Sequence, residues 1–569
     1  MAQRRLLVTA ALPYSNGRLH VGHIAGAYLP ADIYVRYLRQ RGDDVRFICG
    51  SDDNGVAITI TAAKEKTTPQ DVCGRYRARQ EADFDGLGIR FDIYGGTHSP
   101  ECVELHNRIS QGFFLETHKK GLFTKKTTKQ LYDAQAGKFL PDRYVQGTCP
   151  FCKHGGAYGD QCEDCGRSMD PLALIEPRST ITGSTPEVRE TTHWYLRLGE
   201  FEARLKVWLE SKRESSGDEP AWREATLNFA LGQIKASLPE RAMTRDLEWG
   251  VPVPLPDDPD AAGKVLYVWF DAPIGYVSFT ARYCERADGD WKAYERWWKD
   301  PACRIIHFIG EDNTVFHALT WPAMLMAEGS FQLPSAVVVN AFLNERGPDG
   351  AMLKLSKSRM GDDSALWIEQ FLKGYDPDPL RYYLTSIAPE NQRGAFEMRE
   401  FLARNNDELV ANLGNLFNRT LTFAKKYFDN KVPEAGTLAD VDHELLAALP
   451  AAFERIGHQI EHFHFKAALA DLMQVARSGN QYFDAKQPWA QRKTDLAGCG
   501  TTIHVCLQMI RALTTLMAPF LPFSATKALA LLNVPADGAL AWDPASARLT
   551  AGHPLGEPEV LVKKLDIPE

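Results

Sequence analysis

The run Leu6-Leu7-Val8 is followed by Thr9-Ala10-Ala11-Leu12-Pro13-Tyr14-Ser15-Asn16-Gly17-Arg18-Leu19-His20-Val21-Gly22-His23, and this stretch restricts the fold more than any other. A short apolar run before a loop is the pattern of a buried parallel strand. Beyond it, Ile24, Tyr28, Ala31, Val35 and Leu38 recur at steps of four and three, which is one face of a helix. Pro13, Asn16 and Gly17 form the loop between them, and Gly42 closes the helix. His20 and His23 therefore fall at a helix entrance, where unpaired backbone N–H groups and the dipole favour an anion. Two imidazoles there can donate hydrogen bonds to phosphate oxygens, and Gly22 between them lets a ligand approach the backbone. Alone, the four-residue pattern also describes a capping histidine and a surface histidine.

The chain has 569 residues, too many for one ordinary core, and its length suggests about three or four domains. A hydrophobic share of 44% with 24% charged residues is that of a soluble globular protein. The net charge of −8 confines any nucleic-acid surface to a local basic patch. Arg4-Arg5 before Leu6–Leu12 imitates a signal peptide, but the apolar run is minimal and Pro13–Gly17 is a poor cleavage context. No uninterrupted apolar stretch approaches the roughly 18 residues of a membrane span, so we expect no membrane and a cytoplasmic location. Four of the eleven cysteines, Cys149, Cys152, Cys162 and Cys165, form C-x2-C-x9-C-x2-C. Four thiolates in two paired turns suit a closed tetrahedral zinc site, which is structural rather than catalytic, and Gly155, Gly156, Gly159 and Gly166 permit the tight loops. The other seven cysteines read as reduced thiols, because an odd count argues against a disulfide framework.

A second apolar strand, Val45 to Cys49, runs into Gly50-Ser51-Asp52-Asp53-Asn54-Gly55. Ligands of open α/β sheets bind beyond the carboxyl ends of strands, so Asp52 could meet an ammonium group, or could be an ordinary cap. A helical region spans about Pro69 to Leu87. From about Leu115 to Leu238 the composition shifts toward Lys, Thr and Gly, and we read an insertion. The α/β pattern resumes at Val265 to Tyr276, continues with a strand at Ile305 to Ile309 leading into Gly310–His317, and adds a strand at Ala336 to Val339. Gly350–Arg359 is a loop carrying Lys354, Ser356 and Lys357, groups that could reach a polyphosphate. Beyond Glu390 strand signals vanish, and amphipathic stretches at 397–428, 443–460, 466–483 and 501–532 predict a helix bundle. Asn415 and Arg419 share one face there, and Trp489 follows Gln487-Pro488 at a joint. An indole and a guanidinium can stack on and hydrogen-bond unpaired bases, although such a trio also serves packing.

Taken together, these residues resemble the methionyl-tRNA synthetase family of class I aminoacyl-tRNA synthetases. His20-Val21-Gly22-His23 matches the family's HIGH signature, and Lys354-Leu355-Ser356-Lys357-Ser358 matches its KMSKS loop with Leu for Met. The resemblance covers nearly the whole chain. It implies a Rossmann-like catalytic domain (1–115 and 241–328) split by a connective insertion (116–240) with a zinc knuckle at 149–165. A linker fold (329–390) with the lysine loop, an all-α anticodon-binding bundle (391–550) and a tail (551–569) would follow. It implies ATP, L-methionine and initiator and elongator tRNA(Met) as partners, with Zn2+ as structural metal and Mg2+ accompanying ATP. By the same resemblance His20, His23, Lys354 and Lys357 are catalytic, and Gly22 and Ser356 join them around ATP. Asp52 and the carbonyl of Leu12 hold the substrate ammonium, and Tyr14, Trp269, Ala272, Pro273, Tyr276, Phe316 and His317 enclose the thioether. Asn415, Arg419 and Trp489 read the anticodon.

Some positions depart from the family pattern. Glu311 stands where many relatives have Lys, and Pro30 inside the first helix removes a hydrogen bond to Gly26, which predicts a kink. The chain ends without the dimerising extension some relatives carry, which implies a monomer. Two other readings remain open at this point: another adenylyltransferase with the same histidine chemistry, and a catalytically silent tRNA-binding relative. If Lys357 stabilises charge that develops only during displacement, Lys357→Ala should lower the activation rate by about 100-fold or more while methionine affinity changes little. Single-turnover adenylate formation measured against methionine concentration checks this, and equal losses in both would refute the assignment.

Overall fold

The structure is a computed structural model, and it describes every residue except Met1, Ala2, Pro141, Asp160, Gln161, Glu163, Gly166, Ser168, Asp218, Pro348, Asp349, Ser356, Lys357, Ser358, Arg359, Asp362 and residues 567–569. Its centre is a five-stranded parallel sheet of β1 (Arg5–Ala10), β2 (Asp44–Ser51), β3 (Ile93–Gly96), β4 (Cys303–Gly310) and β5 (Ala336–Asn340), in the spatial order β5-β4-β1-β2-β3. Leu6 to Ala10 are buried because β1 is the middle strand and both sheet faces are covered. The chain builds outward from β1 to β3 and then returns to place β4 on the other side of β1. That reversal opens a crevice beyond the carboxyl ends of β1 and β4, the place where such sheets bind ligands.

The first helix runs through Val21–His23, Ile24–Tyr28 and Leu29–Gln40. Its middle part is a π turn, in which the Leu29 N–H reaches back five residues to the Ile24 carbonyl. The sequence predicts a kink at Pro30; the missing proline bond is instead taken up by this widened turn. The same device recurs at Phe316–Thr320, where the Trp321 N–H bonds the Phe316 carbonyl just before Pro322. Both π turns face the crevice.

Within the segment between β3 and β4, residues 123–196 build two sheets apart from the central one, while helix Val268–Asp288 packs back on β2 and β3. Strands Phe123–Asp133 and Glu187–Leu196 pair antiparallel, and a smaller sheet of Val145–Thr148, Ala157–Tyr158 and Ile175–Ser179 carries the cysteine loops. That smaller sheet has its own core, including Leu131, Val145 and Leu174. After β5, Leu343–Arg346 pairs with Met352–Leu353 and with Gly394–Phe396, and helices Ile368–Gly374 and Pro377–Ser386 follow. The C-terminal region is helical, with Asp440–Glu461, Phe465–Lys486 and Leu496–Met517 packed together. The expected single helix at 501–532 is two, Leu496–Met517 and Pro522–Leu531, because Pro519 and Pro522 lack the N–H needed to continue it. Among the described residues Leu496–Met517 is long and apolar enough to cross a membrane, yet 78% of its most apolar window is buried inside the protein, which makes it a core helix.

One buried ion pair ties these layers together. Arg381, in Pro377–Ser386, donates to Asp32 of the first helix at 2.7 Å, to the Leu87 carbonyl at 3.1 Å, and to Pro519 and Phe520 carbonyls at 3.0 and 2.8 Å. Both side chains are almost fully buried. Asp32→Ala leaves the guanidinium without its counter-charge and should cost about 3–5 kcal/mol. Urea unfolding checks this, and replacing both partners with Leu and Met should recover much of the loss.

Candidate active site

The crevice is a cavity of about 300 Å3. Leu12 and Tyr14 enter it from the loop after β1, Asp52 from the end of β2, and His20, Gly22 and His23 from the helix entrance. Trp269, Ala272, Pro273 and Tyr276 come from helix Val268–Asp288, Phe316 and His317 from the second π turn, and Lys354 from the linker. Every residue expected at ATP or methionine is therefore on this wall, apart from Ser356 and Lys357, which lie outside the described residues. The wall also includes Gly26, Ala27, Tyr28, Asp312, Asn313 and Phe342, which the sequence reading did not single out. Asp312, Asn313 and Phe342 follow the carboxyl ends of β4 and β5, so the crevice rule alone could have found them.

His20 caps the helix. Its Nδ1 accepts the Gly22 N–H at 3.1 Å, and its own backbone N–H donates to His23 Nδ1 at 3.1 Å. Accepting at Nδ1 puts the proton of each neutral ring on Nε2, so both imidazoles are fixed as donors through that atom. The rings stack with centroids 3.7 Å apart. Glycine at position 22 leaves room for this packing, because a Cβ there would crowd the His20 ring at 3.0 Å and Leu355 Cδ1 at 3.1 Å. The chain beyond the lysine loop is strapped to the same entrance: the Val21 N–H donates to Leu366 O at 3.1 Å and the Ile368 N–H to Leu19 O at 3.0 Å. Arg18 adds an ion pair to Glu369.

Asp52 joins the two central strand ends through its backbone, donating to Pro13 O at 2.9 Å and accepting from the Ser15 N–H at 3.1 Å. Its carboxyl is buried and has no cationic partner within ion-pair distance among the described residues. One backbone N–H, from Asn54, approaches it at 3.3 Å. Burial, reinforced by nearby Asp271, pushes it well above the usual carboxylate range. Asp271 is itself held by Asn54 Nδ2 at 2.7 Å and His106 Nε2 at 3.3 Å.

The rest of the wall is aromatic. Trp269 stacks on Phe316 with centroids 3.7 Å apart and planes 8° from parallel. His317 Nδ1 donates to the Asn313 carbonyl at 3.1 Å, so its Nε2 accepts the Tyr276 hydroxyl at 2.9 Å. Burial lowers His317 to about 4, which keeps the ring neutral and this orientation fixed near pH 7.

Glu311 is answered by Arg393, whose Nε and Nη2 lie 2.8 and 2.7 Å from its Oε1. The charge that the sequence left uncompensated is thus neutralised from the far side of the linker. In the bundle, Arg419 lies over Phe483 at 4.1 Å and over Trp489 at 5.8 Å, and pairs with Asp484 at 2.5 Å. Asn415 is exposed one turn earlier on the same helix. The four cysteine sulfurs lie within 4.8 Å of one another, with Cys149–Cys165 at 3.9 Å and Cys152–Cys162 at 3.6 Å. Thiolates at about 2.3 Å from a tetrahedral centre are about 3.8 Å apart, so the cluster is compatible with zinc.

Two family descriptions match this chain: "tRNA synthetases class I (M)" over residues 6–421, and "Anticodon binding domain of methionyl tRNA ligase" over residues 432–568. The methionine–tRNA ligase of Porphyromonas gingivalis is 45% identical over 568 residues, covering 99% of this chain and 79% of that one. The methionine–tRNA ligase of Pyrococcus furiosus is 44% identical over 572 residues, covering 98% of this chain and 75% of that one. Among solved structures, the Mycobacterium tuberculosis methionyl-tRNA synthetase in complex with methionyl-adenylate superposes with a TM-score of 0.78 at 25% identity, covering 98% of this chain and 100% of that chain.

If the cysteine cluster holds a metal, removing it should release the small sheet of the insertion and leave the central sheet intact. Limited proteolysis after chelation should then cut between residues 145 and 179; unchanged resistance there would count against a structural metal.

Proposed function

The chain belongs to the methionine–tRNA ligase family of class I aminoacyl-tRNA synthetases, and from that premise we propose how its cavity divides the work. The enzyme activates methionine with ATP and charges tRNA. The observation that carries the residue assignment is Asp52, a buried carboxylate with no ion-pair partner among the described residues, on the wall of an aromatic cavity that His20 and His23 also line.

In this reading Asp52 and the Leu12 carbonyl take the methionine ammonium, which supplies the missing counter-charge. Trp269, Phe316, Ala272, Pro273 and Tyr276 surround the thioether, a polarisable group suited to aromatic contact and weak in hydrogen bonding. Because the Tyr276 hydroxyl is already donating to His317, the pocket offers the side chain shape more than hydrogen bonds. The methionine carboxylate, ionised at neutral pH, attacks the α-phosphorus of ATP and pyrophosphate leaves. His20 and His23 donate through Nε2 to phosphate oxygens as their charge grows, with Lys354, Ser356 and Lys357 contributing from the loop. Mg2+ bound with ATP neutralises phosphate charge. Positioning and electrostatics carry the step, with no general base required. A hydroxyl of the terminal tRNA adenosine then attacks the adenylate carbonyl and AMP leaves.

We assign anticodon reading, in initiator and elongator tRNA(Met) alike, to Asn415, Arg419 and Trp489, supported by the exposed indole beside a guanidinium. Zn2+ at Cys149, Cys152, Cys162 and Cys165 would serve folding alone, because all four positions are taken by protein.

ATP–pyrophosphate exchange with each amino acid in turn, followed across pH, tests the reading. Exchange should answer to methionine alone. The KM for methionine should rise on acidification at a pH above the ordinary carboxylate range, since burial raises Asp52 and only its ionised form holds an ammonium. Asp52→Asn should raise that KM by about 10- to 100-fold and remove the pH dependence. A pH-independent KM in the unmodified enzyme would refute the role given to Asp52.

A further inference from the structure

The amino ends of β1 and β4 lie at the opposite end of the central sheet from the catalytic crevice, and a cavity of about 490 Å3 opens beside them. Gln3, Arg4, Arg5, Glu219, Asp300 and Arg304 line it. Neither activation nor transfer uses it. We propose that Arg304 turns into this cavity and binds a phosphate group there, as the free ion or on a small metabolite.

Arg304 carries the argument. All three of its guanidinium nitrogens are withdrawn from water and have no hydrogen-bond partner among the described residues. Glu219 Oε1 stands 3.9 Å from its Nε, beyond hydrogen-bond distance, and Glu219 is already paired with Lys212 at 3.1 Å. The other acids nearby are matched as well. Asp300 pairs with Arg5 at 3.1 Å, Asp43 and Glu461 with Arg4 at 2.6 and 2.9 Å, and Asp44 with Arg46 at 3.0 Å. Arg304 is thus the surplus cation of the group. A cation out of water without acceptors is destabilising, and an anion that accepts from it removes the cost.

A second observation comes from Tyr34 of the first helix. Its side chain is fully buried and its hydroxyl also has no partner among the described residues. Arg304, Arg4 and Glu461 are among the charges acting on that hydroxyl, so it shares their surroundings. Two side chains from different elements therefore lack an acceptor at the same place. A guanidinium donates paired hydrogen bonds to phosphate, and three arginines around one cavity favour a doubly charged anion over a single carboxylate. Glu219 and Asp300 limit the affinity by repulsion. The site joins Arg304 of the sheet to Glu219 of the insertion and, through Arg4, to Glu461 of the bundle. A phosphate bound there acts on the junction of three parts of the chain.

Equilibrium dialysis with radiolabelled inorganic phosphate at constant ionic strength tests this. The catalytic cavity is first filled with a non-hydrolysable methionyl-adenylate analogue, so that only other sites are counted. Arg304→Leu should weaken phosphate binding by about 10- to 100-fold, the loss of a charged hydrogen-bonding group. Arg304→Lys, which keeps the charge but not the fork, should fall between. Glu219→Gln removes a repelling charge and should bind phosphate more tightly, a readout that stands even if Arg304→Leu does not fold. ATP–pyrophosphate exchange should be unchanged in Arg304→Lys and Glu219→Gln. Competition by glycerol 3-phosphate distinguishes the sources: displacement assigns the site to a metabolite phosphate, and no displacement assigns it to the free ion. Failure of the unmodified enzyme to bind either compound overturns the proposal. So does equal phosphate binding by the unmodified enzyme and Arg304→Leu, or binding that Glu219→Gln leaves untouched. Loss of exchange in Arg304→Lys also overturns it, by tying Arg304 to the fold of the catalytic cavity.

Discussion

Arg381 is the point on which the arrangement of layers depends. A guanidinium removed from water must have its donors satisfied, and Arg381 meets acceptors from the first helix, from the turn before β3 and from the Pro519–Phe520 turn of the bundle. Its partner Asp32 sits on the same helix as His20 and His23, three turns in. The helix entrance, the linker and the C-terminal helices thereby meet at one buried charge, and Glu461 of the bundle adds ion pairs to Arg4 and Arg41. Such a pair adds little stability over a hydrophobic replacement, but it accepts only one geometry.

Arg223 performs a related task on the other side of the first helix. It donates to the Val339 carbonyl, to Asn340 Oδ1 at 2.7 Å and to the Phe463 carbonyl at 3.1 Å, and Asn340 in turn donates to Ala25 O at 3.1 Å. The end of β5, the turn between two bundle helices and the π turn of the first helix thus share one hydrogen-bonded chain. The π turn matters because Ala25, Gly26 and Ala27 are part of it: its widened ring brings small residues to the cavity wall, and Pro30 beyond it makes an ordinary helical turn unavailable.

The parallel sheet was legible because its strands are continuous apolar runs, and the bundle because its helices repeat at 3.6 residues. Of the cavity wall, Asp52 was legible because it follows a strand end, whereas Leu12 and Phe316 were legible only through the family resemblance. Other features depend on contacts between distant positions, which no local pattern carries. Arg393 gives no sign in the sequence that it faces Glu311, 82 positions earlier, and the split between Leu496–Met517 and Pro522–Leu531 was missed because apolar periodicity continues across Pro519 and Pro522. Tyr28 was legible as part of one helix face, and it is buried there while also lining the cavity.

The site carries a cost of its own. Among the described residues Asp52 is buried with no ion-pair partner, and burial holds it above its ordinary range; the proposed ammonium would supply that partner. His20 and His23 each spend Nδ1 on the backbone, which removes tautomeric freedom and places the proton of each neutral ring on Nε2. Tyr276 and His317 satisfy each other, which keeps the aromatic pocket from presenting an unpaired hydroxyl to an apolar guest. Some buried charges elsewhere are matched, as at Arg381 with Asp32, and others, such as Arg223 and Arg511, are held by neutral acceptors. The ligand of the proposed reading, with an ammonium, an apolar side chain and a carboxylate near polyphosphate, would satisfy Asp52, the aromatic pocket and the two histidines together.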